Sequence, residues 1–162
     1  MKRFLLAGFF VLCMVCGATI THAQVRGTSI GPKAGIYLDG SLFMAGAVME
    51  IPMTPNLDIE PAAELVFGIS NTTRFVLDGN VRYSFDILGS DVRPFAGGGL
   101  GLVLDFVSLG GASESFSDFR LNLIGGVTFS TRSLVQPWGG LKVTLLSDQS
   151  DVALQGGVNF YF

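Results

Sequence analysis

The chain has 162 residues, of which 49% are hydrophobic, and its thirteen acidic and ten basic side chains give a net charge of −3. This length fits a single domain. The slight excess of acids gives no sign of nucleic acid or of an anionic lipid surface as a partner, because both attract basic proteins.

The N-terminal segment has the pattern of a secretory signal peptide. Two basic residues precede an apolar run over residues 4–17, and Thr21 and Ala23 are small residues at the spacing of a cleavage site. A membrane helix is the less favoured interpretation, since the run is shorter than the roughly 20 residues that cross a bilayer. We therefore expect residues 1–23 to be removed and residues 24–162 to form one domain.

Every cysteine and histidine of the chain lies in this N-terminal segment. Its removal takes away Cys13, Cys16 and His22 together with two basic residues. The remaining domain is expected to have no thiol, no disulfide and no lipid anchor. Eight basic and thirteen acidic residues remain, which give a net charge of −5.

After Gln24, apolar and polar residues alternate with period two, and clusters of Gly, Pro, Asn, Asp and Ser interrupt the alternation every ten to fifteen residues. This pattern predicts antiparallel strands joined by turns. Two of the strands open on Pro94 and Pro137, where a proline would not interrupt an interior ladder. The facing of the second strand stays open, because it is apolar on both parities. The eight predicted strands are 28–37, 42–51, 57–67, 74–87, 93–106, 118–130, 137–146 and 152–162.

Aromatic residues on the apolar parity fall at the ends of these strands, and aliphatic or small residues lie between them. Aromatic rings prefer the interfacial depth of a bilayer, so the pattern predicts a closed membrane barrel with its apolar face outward. A soluble sandwich is the alternative. With odd strands running towards the cell surface, the surface set is Phe43, Phe67, Phe75, Phe106 and Phe119, and the periplasmic set is Tyr83, Phe85, Phe129, Phe160 and Phe162.

The charged residues of the strands all fall on the inward parity. Buried charges need partners, so we predict an ion network inside the barrel, with Glu60 and Arg82 as one candidate pair. Eight strands leave an interior just wide enough for side chains, which favours a structural network over the alternative of a gated ion path. The network residues are Lys33, Glu60, Glu64, Arg74, Asp78, Arg82, Asp105, Arg120 and Lys142, and the further inward charges are Glu50, Asp58, Asp86, Arg93 and Asp118.

The last strand carries the most specific motif. Leu154, Val158 and Phe160 alternate towards a final Phe162, and residues 94–101 read Pro-Phe-Ala-Gly-Gly-Gly-Leu-Gly. In these features the chain resembles the small eight-stranded outer-membrane barrels of the OmpA/OmpX type and the broad porin-like outer membrane β-barrel domain family. The resemblance implies a monomer surrounded by outer-membrane lipid. It also implies that Phe160 and Phe162 address the chain to the barrel-assembly machinery.

The resemblance also limits the expected activities. Outer-membrane barrels that are enzymes use histidine for acid and base work, and the expected domain has none. Glu60 and Glu64 could form an acid and base pair, but arginines beside them favour a structural role. We expect neither a metal site nor a cofactor.

Two classes of function stay open. One is a structural or surface-interaction barrel, and the other is a narrow channel or a small-ligand lumen. The segment 107–117 is predicted to be the one extended surface loop, and a recognition role could reside there. We expect no peptidoglycan-binding domain after the barrel and only short loops, which leaves wall anchoring, and adhesion through long loops, without support.

Overall fold

A computed structural model describes residues 27–70, 72–109, 112–131, 133–145 and 150–162. The predicted signal peptide lies outside the described residues. In the described part of the chain, no helix has the length and hydrophobicity needed to cross a membrane.

Eight antiparallel strands close into one barrel in chain order, with β1 pairing with β8. Each strand pairs with its sequence neighbours, as the alternation predicts. The prediction of an all-β, eight-stranded antiparallel barrel is therefore confirmed. The strands are β1 Ser29–Tyr37, β2 Leu42–Pro52, β3 Leu57–Phe67, β4 Thr72–Ser84, β5 Val92–Leu109, β6 Ala112–Phe129, β7 Val135–Leu145 and β8 Ser150–Tyr161.

The start of β1 and the end of β8 lie at the same end of the barrel, which we name the terminal end; the opposite end is the far end. A tight turn joins β1 to β2 at the far end. The last pair of these strands is Tyr37 with Leu42, so the turn has four residues, and two of them, Gly40 and Ser41, have positive φ at 85° and 52°.

The β5–β6 hairpin differs from the prediction. Its strands pair without interruption from Val92 and Phe129 to Leu109 and Ala112, so most of the segment predicted as a loop at 107–117 is strand. The pairing continues into a serine-rich stretch beyond the barrel wall. Such a stretch shows no apolar alternation, because neither of its faces needs to be buried.

Other boundaries shift by a few residues. β4 ends at Ser84 instead of continuing to residue 87, and the Asn56 side chain donates to the Ser84 carbonyl at 2.9 Å there. Pro94 and Pro137 are each the third residue of their strand, where the sequence predicted the first. In β2, Met44 and Glu50 face inward and Phe43 faces lipid, which settles the facing left open by the sequence.

The outer surface carries the two predicted aromatic sets. All ten rings are exposed, from Phe75 at 41% to Phe119 at 79%. Phe75 and Phe106 stack edge to face at the far end, and Tyr83 and Phe85 do so at the terminal end. A wall with this pattern meets hydrocarbon along its middle and lipid headgroups at both ends.

The inner wall is tightly filled. A Cβ on Gly99 would lie 2.1 Å from the carbonyl oxygen of Gly79 on the neighbouring strand, so only glycine fits there. Two apolar groups share the interior with the charges. The far half holds Tyr37, Met44, Val66, Val76, Val103 and Ala153, and the terminal half holds Val48, Ala62, Phe95 and Trp138.

Candidate functional site: the charged lumen

The interior of the barrel concentrates the charged side chains of the strands. Ten of the predicted inward charges are at most 8% exposed, because every second residue of a strand faces the same side. They are Lys33, Glu50, Asp58, Glu60, Glu64, Asp78, Arg82, Arg93, Arg120 and Lys142.

Glu64 is the centre of a group in the far half of the barrel. The Lys142 ammonium lies 2.6 and 2.8 Å from its two carboxylate oxygens, and Lys33 Nζ lies 2.7 Å from Oε1. The Tyr37 hydroxyl donates to Oε2 at 3.2 Å. These side chains come from β1, β3 and β7, so the group reaches across the barrel from one wall to another.

Asp78 extends the same group to β4 and β6. Arg120 donates to its carboxylate at 2.9 and 3.2 Å, and Asn122 donates at 2.8 Å. Lys142 Nζ, at 3.1 Å, joins Asp78 to Glu64. We name Lys33, Tyr37, Glu64, Asp78, Arg120, Asn122 and Lys142 the far-half cluster.

Arg82 is the centre of a second group nearer the terminal end. Its Nη1 contacts Glu50 and lies 3.4 Å from Glu60 Oε2. Glu60 and Arg82 are the pair that the sequence predicted. Its Nη2 contacts the Thr128 hydroxyl, and its guanidinium lies 3.8 Å from the centre of the Phe95 ring. Arg82 is therefore held by two carboxylates, a hydroxyl and an aromatic face.

Glu50 has further partners on β1 and β8. The Tyr161 hydroxyl donates to it at 2.9 Å, and the Ser29 hydroxyl donates at 3.4 Å. These contacts bring β8 and β1 into the same group. We name Ser29, Glu50, Glu60, Arg82, Thr128 and Tyr161 the terminal-half cluster.

The remaining predicted charges lie near the two ends. Arg74 and Asp105 form a two-bond pair at 2.7 and 2.8 Å near the far end, where both are partly exposed. Asp86 was predicted to face inward, but it lies past the end of β4, is exposed, and pairs with Arg93 at 2.7 Å. Asp118 faces inward as predicted, since it pairs with the buried Val103, but it is exposed near the far end.

A cavity of about 240 Å³ opens at the far end. Four aspartates and two arginines line it, and the side chains of Tyr37 and Arg120 belong to both the cavity and the far-half cluster. The cavity therefore ends at that cluster. The charged lining residues are Asp39, Arg74, Asp105, Asp118, Arg120 and Asp151.

Several interior partners were missed in the sequence analysis. Phe95 and Trp138 fill the terminal half, and Tyr37 and Tyr161 bind the central carboxylates. Strand parity could have found them, since Phe95 shares the parity of Arg93. They were missed because aromatic residues were assigned to the lipid face alone.

The possible acid and base pair of the lumen is divided between the two clusters. Glu60 and Glu64, the possible acid and base pair, bind different cations in different clusters. In the described ranges, no three His, Cys, Asp or Glu side chains are placed to hold a metal ion. The chemistry that the lumen supports is charge pairing between strands.

No protein-family model and no curated protein matches the sequence. Solved structures do share the fold. The N-terminal β-barrel domain of Pseudomonas aeruginosa OprF superposes with a TM-score of 0.73 and 14% identity over 86% of this chain and 100% of that chain. Neisserial surface protein A (NspA) gives 0.74 and 18% over 86% of this chain and 100% of its own.

The outer membrane enzyme PagL also matches, with a TM-score of 0.54 and 12% identity over 83% of this chain and 99% of that chain. The same architecture thus serves an enzyme as well as other outer-membrane proteins, and it does not by itself assign an activity. At these identities the likeness shows the fold alone. The chain has the fold of the small eight-stranded barrels of the bacterial outer membrane.

Proposed function

We propose that this protein is an integral outer-membrane barrel with a structural or surface-interaction role, whose lumen is closed by its own side chains. The far-half cluster carries the proposal. It joins five strands through ion pairs with distances of 2.6 to 3.1 Å. A plug of this kind leaves little room for a solute path.

The physical basis is the behaviour of buried ions. Removing one partner of a buried ion pair typically costs about 3 to 5 kcal/mol, so an intact network resists opening. The far-half cluster gives Glu64 and Asp78 at least two cationic partners each. Opening a path would require several of these contacts to break together.

The proposal is tested by conductance in planar lipid bilayers with the purified, refolded protein. We expect no discrete conductance steps. The same sample should migrate faster on gels when unheated than when boiled, which shows that the barrel is folded. Stable conductance from heat-modifiable protein would contradict a closed lumen.

A second candidate function is a narrow channel, and the cavity at the far end favours it. The cavity already reaches Arg120 from the far end, so the far-half cluster is the barrier that ions would have to pass. A channel predicts that Lys142→Gln changes ion selectivity, whereas a closed barrel predicts that both the wild type and this variant are silent.

We further propose that the protein is monomeric and is not an enzyme. The two carboxylates with the best spacing for acid and base work are each engaged by cations. Incubating the folded protein with outer-membrane lipid should leave the lipid chemically unchanged. Loss of an acyl chain that stops in Glu64→Gln would contradict this.

Assembly is proposed to use the aromatic residues at the end of β8. Phe160 and Phe162 face outward and are 47% and 74% exposed. Phe162→Ala should lower the amount of protein in the outer membrane and increase its degradation in the periplasm. Phe119→Ala, which removes a comparably exposed ring at the other end, is the control and should insert normally.

A further inference from the structure

The ladder between β2 and β3 is interrupted at one place. Strand pairs continue from Phe43 and Phe67 to Val48 and Ala62, and they resume at Ile51 and Ile59. The two intervening pairs, at residues 49/61 and 50/60, are absent. We name this interruption the β2–β3 gap.

Pro61 accounts for the β2–β3 gap. Proline has no backbone N–H, so it cannot donate to the opposite strand. Pro61 keeps its place in the ladder with β4, where it pairs with Gly79. The missing donor therefore faces β2, and the Met49 carbonyl loses the ladder bond that residue 61 would have given.

A second interruption lies on the other side of the same hairpin. The β1–β8 ladder lacks the pairs at residues 31/159 and 32/158, and Pro32 occupies that position. At Pro94 and Pro137, by contrast, the ladders that lack a proline donor end beside the proline, at the pairs of Ser84 with Phe95 and of Thr128 with Trp138, so they have no internal interruption. The β1–β2 hairpin is thus bordered on both sides by interrupted ladders at nearly the same height of the wall.

The charges on the inner side of the β2–β3 gap further weaken the pairing of β2 with β3. The register places Glu50 and Glu60 opposite each other on adjacent strands, both facing inward. Like charges in this position destabilise strand pairing. Arg82, which comes from β4, contacts both carboxylates through the same Nη1 atom. One guanidinium therefore joins β2 to β3 where the backbone does not.

We propose that the β2–β3 gap is a lateral opening between the lumen and the membrane, held shut from inside by Arg82. When Arg82 leaves the carboxylates, β2 and β3 part at residues 49–50 and 60–61. The apolar group of Val48, Ala62, Phe95 and Trp138 lies directly behind this point. Lipid acyl chains are then the molecules that gain access to it.

Trp138 reports on this opening, because it is the one tryptophan of the chain and is only 6% exposed. The test measures quenching of its fluorescence by phospholipids with brominated acyl chains. We expect Arg82→Gln to increase the quenching relative to wild type. Arg74→Gln is the matched control, because Arg74 and Asp105 are direct partners on an uninterrupted ladder, and its quenching should equal that of the wild type.

A second variant separates opening from a local change around Phe95. Adding Pro61→Val to the Arg82→Gln variant restores the backbone donor. The double variant should show less quenching than Arg82→Gln alone, closer to the wild-type value. Pro94→Val, which adds a donor at the end of the β4–β5 ladder and away from the β2–β3 gap, should not. If Pro61→Val leaves the Arg82→Gln quenching unchanged, or if Arg74→Gln increases quenching equally, the lateral opening is wrong.

Amide hydrogen exchange gives an independent readout that does not require Arg82→Gln to fold. In the wild type, the Met49 amide should exchange about tenfold faster than amides in the middle of the β4–β5 ladder, as expected for a locally opening segment. Pro61→Val alone should slow it to the rate of its neighbours. Equal protection of Met49 and the β4–β5 amides in the wild type would overturn the proposal.

Discussion

The two charged clusters of the lumen use the same kinds of side chain, but they are connected differently. In the far-half cluster, Glu64 is shared by Lys33 and Lys142, and Asp78 is shared by Lys142 and Arg120. In the terminal-half cluster, Arg82 is the single cation that contacts Glu50 and Glu60. In the first cluster three cations neutralise the buried carboxylates, whereas in the second a single cation does so.

The number of buried ions is therefore a poor guide to how much each one contributes to stability. What matters is whether a charge keeps a partner when one contact is lost, because an unpaired buried charge is far more costly than a paired one. Substitutions in each cluster test this difference, with the free energy of unfolding in urea as the measurement.

The largest effect is expected for Arg82→Ala. The change leaves Glu50 and Glu60 opposite each other without a cation, and losing one partner of a buried pair typically costs about 3 to 5 kcal/mol. Arg82→Leu should lose stability as well, because it restores volume but not charge. If Arg82→Leu were as stable as wild type, packing and not pairing would be the main role of Arg82.

A smaller loss is expected for Lys142→Met. Glu64 keeps Lys33 at 2.7 Å, and Asp78 keeps Arg120 at 2.9 Å. The cost should therefore fall to about 1 to 3 kcal/mol, the range for removing a hydrogen-bond partner of a buried group. A loss equal to that of Arg82→Ala would show that the far-half cluster has no redundancy.

Arg74→Gln should cost less still. Arg74 and Asp105 are partly exposed, and pairs near water typically contribute about 0.2 to 1 kcal/mol. Raising the salt concentration should reduce even this difference, since exposed pairs are screened. A loss of stability that does not depend on salt and exceeds that of Lys142→Met would contradict the solvent exposure of this pair at the far end.

Glu60→Gln is expected to have the smallest effect on stability. Arg82 keeps Glu50, and the repulsion between the two opposed carboxylates disappears. We expect a change within about 1 kcal/mol of wild type, because the lost contact and the relieved repulsion offset each other. A loss comparable to that of Arg82→Ala would mean that Glu60, and not Glu50, is the main partner of Arg82.

The sequence predicted the facing of most interior charges because facing is a local property. Glu60, Glu64 and Arg82 lie inward by parity alone, whatever their strands pair with. The exception, Asp86, lies past the end of β4, where parity no longer separates lumen from solvent.

The partners inside the lumen could not be predicted in the same way. Lys142 on β7 reaches Glu64 on β3 across the whole barrel, and this depends on how all the strands are staggered. The spacing of residues along the sequence does not determine that stagger. The candidate pair of Glu60 and Arg82 was accessible because β3 and β4 are neighbours joined by a short turn.

The unbroken ladder of β5 and β6 also bears on how the chain reaches its final shape. Its pairs are close in sequence, so little chain entropy is lost when they form, whereas β1 and β8 must meet from opposite ends of the domain. We therefore expect the long hairpin to form early and the junction of β1 with β8 to form last. Changes in the hairpin should then slow assembly, and changes at the junction should mainly shorten the lifetime of the finished barrel.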